Sequence, residues 1–67
     1  MGDMELIERI VIDPKVMVGK PIIRGTRITV DCILDSLASG MSFEEIAKDY
    51  GLTFEDVKAA LIYAKRS

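Results

Sequence analysis

Sixty-seven residues make one small domain, near the size at which a single core buries only about 60% of the surface its unfolded chain exposes, and an apolar content of 49% takes the chain out of the disordered class. Eleven acids against nine bases leave a net charge of −2; a lone cysteine and no histidine leave no disulfide framework, no metal-ligand cluster and no catalytic signature, so the sequence reads as a non-enzyme with no cofactor. No leader motif precedes the domain and no apolar run approaches the roughly 20 residues of a membrane span, which predicts a soluble cytoplasmic protein that uses oligomerisation as its staple.

The first predicted element is a strand over "LIERIVI", Leu6 to Ile12. Its alternation places Leu6, Ile10 and Ile12 with Glu8 on one face, and Ile7 and Val11 with Arg9 on the other. Both faces are mostly apolar, so a strand here needs cover on both sides, and a homodimer in which a second copy supplies one wall is expected. "DPKVMVGKP" is a connector, turning at Asp13-Pro14 and again at Gly19. "PIIRGTRI" then reads as a tight hairpin around Arg24-Gly25, where glycine accepts a positive φ. Residues 1–28 thus form a strand and hairpin arm.

Helical periodicity takes over from residue 29. A first predicted helix starts at the cap Thr29, runs to Ser39 with Val30, Ile33, Leu34 and Leu37 inward, and stops at Gly40. Ser42 and Glu45 make a capping box for the second, in which Phe43, Ile46, Ala47 and Tyr50 face inward until Gly51. Thr53 and Asp56 repeat that logic for the third, which extends to about Lys65 on core positions Val57, Leu61 and Ala64.

Ala47 stands four residues before Gly51, Leu52 falls in the turn and Val57 lies six beyond Gly51, the spacing of a helix-turn-helix. A small residue lets the helices approach, glycine takes the left-handed turn, and Leu52 with Val57 plugs the angle. The outward face of the third helix would carry Thr53, Phe54, Glu55, Lys58, Ala59 and Ile62. Its first turn is acidic and only Lys58 suits a nucleic acid, so this face favours protein contact over base readout. With Ala60 and Tyr63 added, the helix is apolar nearly all round, and a dimer mate or another protein is expected to pack on it.

Charge is polarised along the chain. Residues 14–28 hold Lys15, Lys20, Arg24 and Arg27 and no acid, whereas residues 29–67 hold four bases against seven acids. Such a patch can meet phosphate or an acidic protein surface despite the negative total, or it can pair with the acidic helices of its own chain or a dimer mate. Arg24 and Arg27 are the sharper candidates because a guanidinium fork grips carboxylate or phosphate through two parallel bonds.

"GKPIIRGTRITV", followed by a leucine-rich helix, "GMSFEEIAKDYGLTFEDVKAAL" and "YA", resembles the bacterial and archaeal domain-of-unknown-function 433 family over nearly the whole chain. Gly19, Lys20, Pro21, Arg24, Gly25, Thr26 and Arg27 match its first block; Ser42, Glu44, Glu45, Ile46, Asp49, Tyr50, Leu52, Asp56, Ala60, Leu61 and Tyr63 match its second. The family is similar to VapB-type antitoxins. The resemblance implies a mainly α fold, a three-helix homeodomain-like helix-turn-helix behind short N-terminal strands. It also implies an antitoxin that binds a PIN-like nuclease toxin and its own operator DNA, with a stand-alone helix-turn-helix transcriptional regulator as the alternative. Because the sequence stops at Ser67, immediately after the third helix, toxin contact would fall to the helical surface, the Lys65-Arg66 end or the basic hairpin. Lys20, Arg24, Arg27, Lys58, Ile62 and Arg66 are therefore the candidate partner-binding or nucleic-acid-binding residues.

Overall fold

The structure, a computed structural model, describes residues 2–66. Its elements in chain order are α1 (Asp3–Ile7), β1 (Ile10–Ile12), β2 (Pro21–Ile23), α2 (Val30–Ala38), α3 (Phe43–Tyr50) and α4 (Phe54–Arg66), with a tight turn at Met17–Gly19 between the strands. The fold is mostly helical with one short two-stranded antiparallel hairpin. No helix among the described residues is long and apolar enough to cross a membrane.

β1 opposes β2 with Ile10 facing Ile23, Val11 facing Ile22 and Ile12 facing Pro21. The Arg24 N–H donates to the Arg9 carbonyl at 2.8 Å. The Arg9 N–H itself turns back to the Leu6 carbonyl at 3.0 Å, so the ladder's phase puts the full bonded pair at Val11/Ile22, and Pro21 falls in a non-bonded pair where its missing N–H costs this ladder nothing. Beyond β2 the chain doubles back. The Thr26 N–H donates to the Ile23 carbonyl at 3.0 Å, the Ile23 N–H donates to the Ile28 carbonyl at 3.0 Å, and Ile22 bridges Thr29.

The local signals in the second half form as their chemistry dictates. Thr29 Oγ1 accepts the Cys32 N–H at 3.0 Å and starts α2. Ser42 and Glu45 exchange both bonds of the capping box, and Thr53 with Asp56 do the same at 3.1 and 3.2 Å. Gly51 ends α3 at φ 68°, and the Leu52 N–H then reaches the Ala47 carbonyl at 2.8 Å.

One core joins the hairpin to the helices. Ile23, Val30, Ile33, Ile46, Val57 and Ala60 form its buried cluster. Ile33, Ile46 and Val57 are wholly shielded from solvent, each contributing about 1.5–3 kcal/mol of burial. Tyr63 packs against this cluster, whereas Leu61, expected inside, stays half-buried outside it.

Two expectations are corrected at the N-terminus. The strand predicted over Leu6 to Ile12 shrinks to its last three residues, because Asp3–Ile7 is a helix. Asp3 and Glu5 suit the first turn of such a helix, and Leu6 becomes 2% exposed by docking on α4. α1 runs antiparallel to α4: Arg66 meets Met4 at one end, and Arg9, just past α1, pairs with Asp56 at the other. Asp56, Ala59, Tyr63 and Arg66 make one stripe at helical spacing. Ala59, expected to face outward, is therefore wholly buried. Part of the apolar surplus of α4 is covered by this chain's own N-terminal helix. Phe54, the outward aromatic, is half exposed and rests against Phe43 with ring centroids 5.2 Å apart.

Candidate functional site

The candidate site is the turn after β2 and the groove beside it. Gly25 holds φ 81° at the third position of the Ile23–Thr26 turn, where a side chain would be strained by its backbone and not by any neighbour, since no atom lies within 4 Å of an added Cβ. Thr26 locks the loop with one hydroxyl, which donates to the Ile23 carbonyl at 2.8 Å and accepts the Ile28 N–H at 3.0 Å. Arg24 and Arg27 are exposed on either side of this glycine and threonine.

Both arginines line an open groove of about 590 Å³, to which Val11, Val16 and Ile22 contribute an apolar lining and Asp13 a carboxylate. Asp13 is already engaged, with Oδ1 accepting the Lys15 N–H at 2.9 Å. Among the described residues the ion pair that forms is Arg9 with Asp56 at 3.0 Å, and neither Arg24 nor Arg27 has one. The pairing of hairpin cations with the acidic helices of the same chain is thus not the arrangement found. Two unpaired guanidinium groups beside an apolar lining can grip an anionic group while burying an aliphatic or aromatic neighbour.

The other candidates lie elsewhere. Lys20 belongs to a second concavity of about 550 Å³, alongside Asp31, Asp35 and Tyr50. There Cys32 Sγ donates to Tyr50 Oη at 3.3 Å and Ser36 Oγ lies 3.0 Å from the same oxygen, a polar cluster that ties α2 to α3. Arg66 sits at the end of α4 with Nη1 3.6 Å from Met4 Sδ. Lys58 is exposed on α4 and Ile62 is half-buried there; neither lines the groove.

Three features escaped sequence reasoning. The groove's apolar lining draws Val11, Val16 and Ile22 from separate segments, so no local pattern marks it. Asp56 serves two partners, Thr53 through Oδ2 and Arg9 through Oδ1, and only the first lies within a readable spacing. Met17 and Val18 hold φ values of 49° and 55°, continued by Gly19 at 74°, a left-handed run that β-branched valine rarely accepts.

Residues 10–64 match the family described as "Protein of unknown function (DUF433)". An uncharacterized protein of Archaeoglobus fulgidus is 72% identical over 25 residues, covering 37% of this chain and 69% of that protein. A Mycobacterium tuberculosis protein named "Putative antitoxin VapB45" is 35% identical over 52 residues, 78% of this chain but 22% of the longer relative. The crystal structure of Rv2018 from Mycobacterium tuberculosis superposes with a TM-score of 0.71 at 35% identity, again over 78% of this chain and 24% of that one. The chain thus spans about a quarter or less of the length in each of these mycobacterial matches. The match runs from β1 to the last turns of α4 and takes in the basic turn, and on that extent the chain belongs to the DUF433 family.

Proposed function

We propose that this protein is a non-catalytic, antitoxin-like binding protein and that the Arg24–Arg27 turn is its contact with an acidic face of a PIN-like nuclease toxin. The observation that carries this reading is the pair of exposed arginines that share one largely apolar groove and form no ion pair among the described residues, although Asp13 lines the same groove. Similarity to a protein named as an antitoxin supports the same role. A PIN-like active site is a carboxylate cluster around a metal, and a guanidinium placed there competes with the metal electrostatically. Ile62 and Arg66 on α4 and Lys20 in the second concavity lie outside this groove and enter the proposal as separate contact residues.

Co-expression with a PIN-type ribonuclease of the same genome, followed by affinity capture, tests this reading. The wild-type chain co-purifies with the nuclease and suppresses its RNA cleavage, and the Arg24→Ala/Arg27→Ala variant does neither while keeping its melting temperature. Capture that is indifferent to both arginines sinks the assignment of the turn.

A second reading is operator binding by α3 and α4 as a homeodomain-like helix-turn-helix. The left-handed Gly51 turn and the exposed Lys58 favour it, while Glu55 at the start of α4 opposes phosphate and Asp56 beside it is paired with Arg9. A mobility shift on upstream DNA across salt decides: a salt slope reduced by Lys58→Ala supports the reading, and absence of binding at low salt with and without toxin ends it.

A further inference from the structure

We propose that β1 is the seam of a homodimer, in which two copies pair their β1 strands antiparallel about a two-fold axis at Val11 and join both hairpins into one four-stranded sheet. The inference rests on the strand edge and is independent of what the basic turn binds.

In the β1–β2 ladder the Arg9 carbonyl accepts the Arg24 N–H and Val11 faces Ile22 as the bonded pair, so the N–H and C=O groups of Ile10 and Ile12 point away from β2. No group among the described residues bonds to them. Ile12 is 58% exposed at the open end of the strand. An edge with neither proline nor charge along it is a template for another strand.

Symmetry leaves three registers, and two fail. Centring on Ile12 sets Ile10 against the partner's Pro14, which has no N–H, and Arg9 against the partner's Lys15. Centring on Ile10 sets Ile12 against the partner's Glu8, whose backbone is helical at φ −61° and ψ −16°. Centring on Val11 sets Ile10 against the partner's Ile12 twice, and each of these pairs exchanges two hydrogen bonds, so every free group on both edges is satisfied. The same register brings Arg9 opposite the partner's Asp13, also twice. Asp13 keeps Oδ2 free beyond its bond to Lys15, and Arg9 keeps the rest of its fork beyond Asp56. Complementary charge and complementary backbone groups thus select a second copy as the occupant of this edge. Val11, Ile22 and Arg24 line one groove, so the dimer sets two such grooves on one sheet face, with β2 and its mate three strand spacings, about 14 Å, apart.

Cross-linking and sedimentation test the seam. In a Cys32→Ser background, Val11→Cys places two thiols in a non-bonded pair with Cα atoms about 4.5 Å apart, within disulfide reach. Mild oxidation then yields a covalent dimer that reductant reverses, and Lys15→Cys in the same background yields none. Ile12→Pro deletes two of the seam's hydrogen bonds without touching the β1–β2 ladder, and raises the dimer dissociation constant about tenfold or more. Circular dichroism checks that each variant is folded, and the cysteine result stands alone if the proline variant is not. A wild-type chain that sediments as a monomer overturns the proposal. A folded Val11→Cys variant that does not cross-link overturns it too, as does a folded Ile12→Pro variant that dimerises like its parent.

Discussion

Thr26 shows how much a single hydroxyl can hold. It closes the turn on the Ile23 carbonyl and fixes the exit through the Ile28 N–H, so the arginines flanking Gly25 are presented by a locked loop. Thr26→Val keeps the branched shape and removes both bonds. A loss of about 1–2 kcal/mol, read as a drop of roughly 4–8 °C per kcal/mol in the thermal midpoint, is expected. Val18 lies at the opposite extreme. It is 92% exposed and buries almost nothing, yet holds φ 55°. Val18→Asn, which tolerates the left-handed region better, raises the melting temperature by the equivalent of about 0.5–1 kcal/mol. A lower midpoint would show that the turn is not strained. The Thr26 loop was legible because Gly25 announces a positive φ. The Val18 turn was not, because valine announces the reverse and only the surrounding chain imposes that backbone.

Helix ends are the elements that reasoning from the chain alone recovers best, and α3 explains why. The Ser42 backbone N–H, with its hydroxyl second, holds the Glu45 carboxyl below the ordinary glutamate pKa. A folded pKa below the unfolded one means that the box stabilises fully above the ordinary glutamate value. That stabilisation is lost as pH falls through the lowered one. Stability measured by urea denaturation should therefore exceed that of Glu45→Gln near neutral pH and converge with it as the pH drops below about 4. A constant gap across that range would remove the carboxylate from the account. Capping bonds span three residues, so spacing alone reveals them. α1 is different in kind. Its five residues are too few to display a helical period or to hold a helix unaided, and the alternation from Leu6 to Ile12 fits a strand as well. Docking of Leu6 against α4 settles the matter, through contacts some fifty positions away in the chain.

At the scale of the whole molecule, α1 is the clasp that joins the beginning of the chain to its last helix. Leu6→Ala is expected to cost about 2–4 kcal/mol, a large share of what so small a domain possesses. Met4→Ala, at a position 67% exposed, should stay within about 0.5 kcal/mol. Chemical denaturation of the two variants separates a docked helix from a frayed one. The candidate site divides in the same way. Its two arginines and its glycine turn could be named from a ten-residue stretch, because charge and permitted φ are properties of residues and their immediate neighbours. Lys20 comes from the same stretch and faces a different concavity, since the strand between it and Arg24 carries the two side chains apart. By itself the sequence determined the caps, the glycine turns at Gly25 and Gly51, the charge polarity and the three C-terminal helices, all governed by interactions within about four residues. Only the tertiary structure decided that residues 3–7 are helical, that Ala59 is buried, that Arg9 neutralises Asp56 and that the arginines remain free beside an apolar lining. Those outcomes depend on which distant surfaces exclude water together, and no local spacing records that.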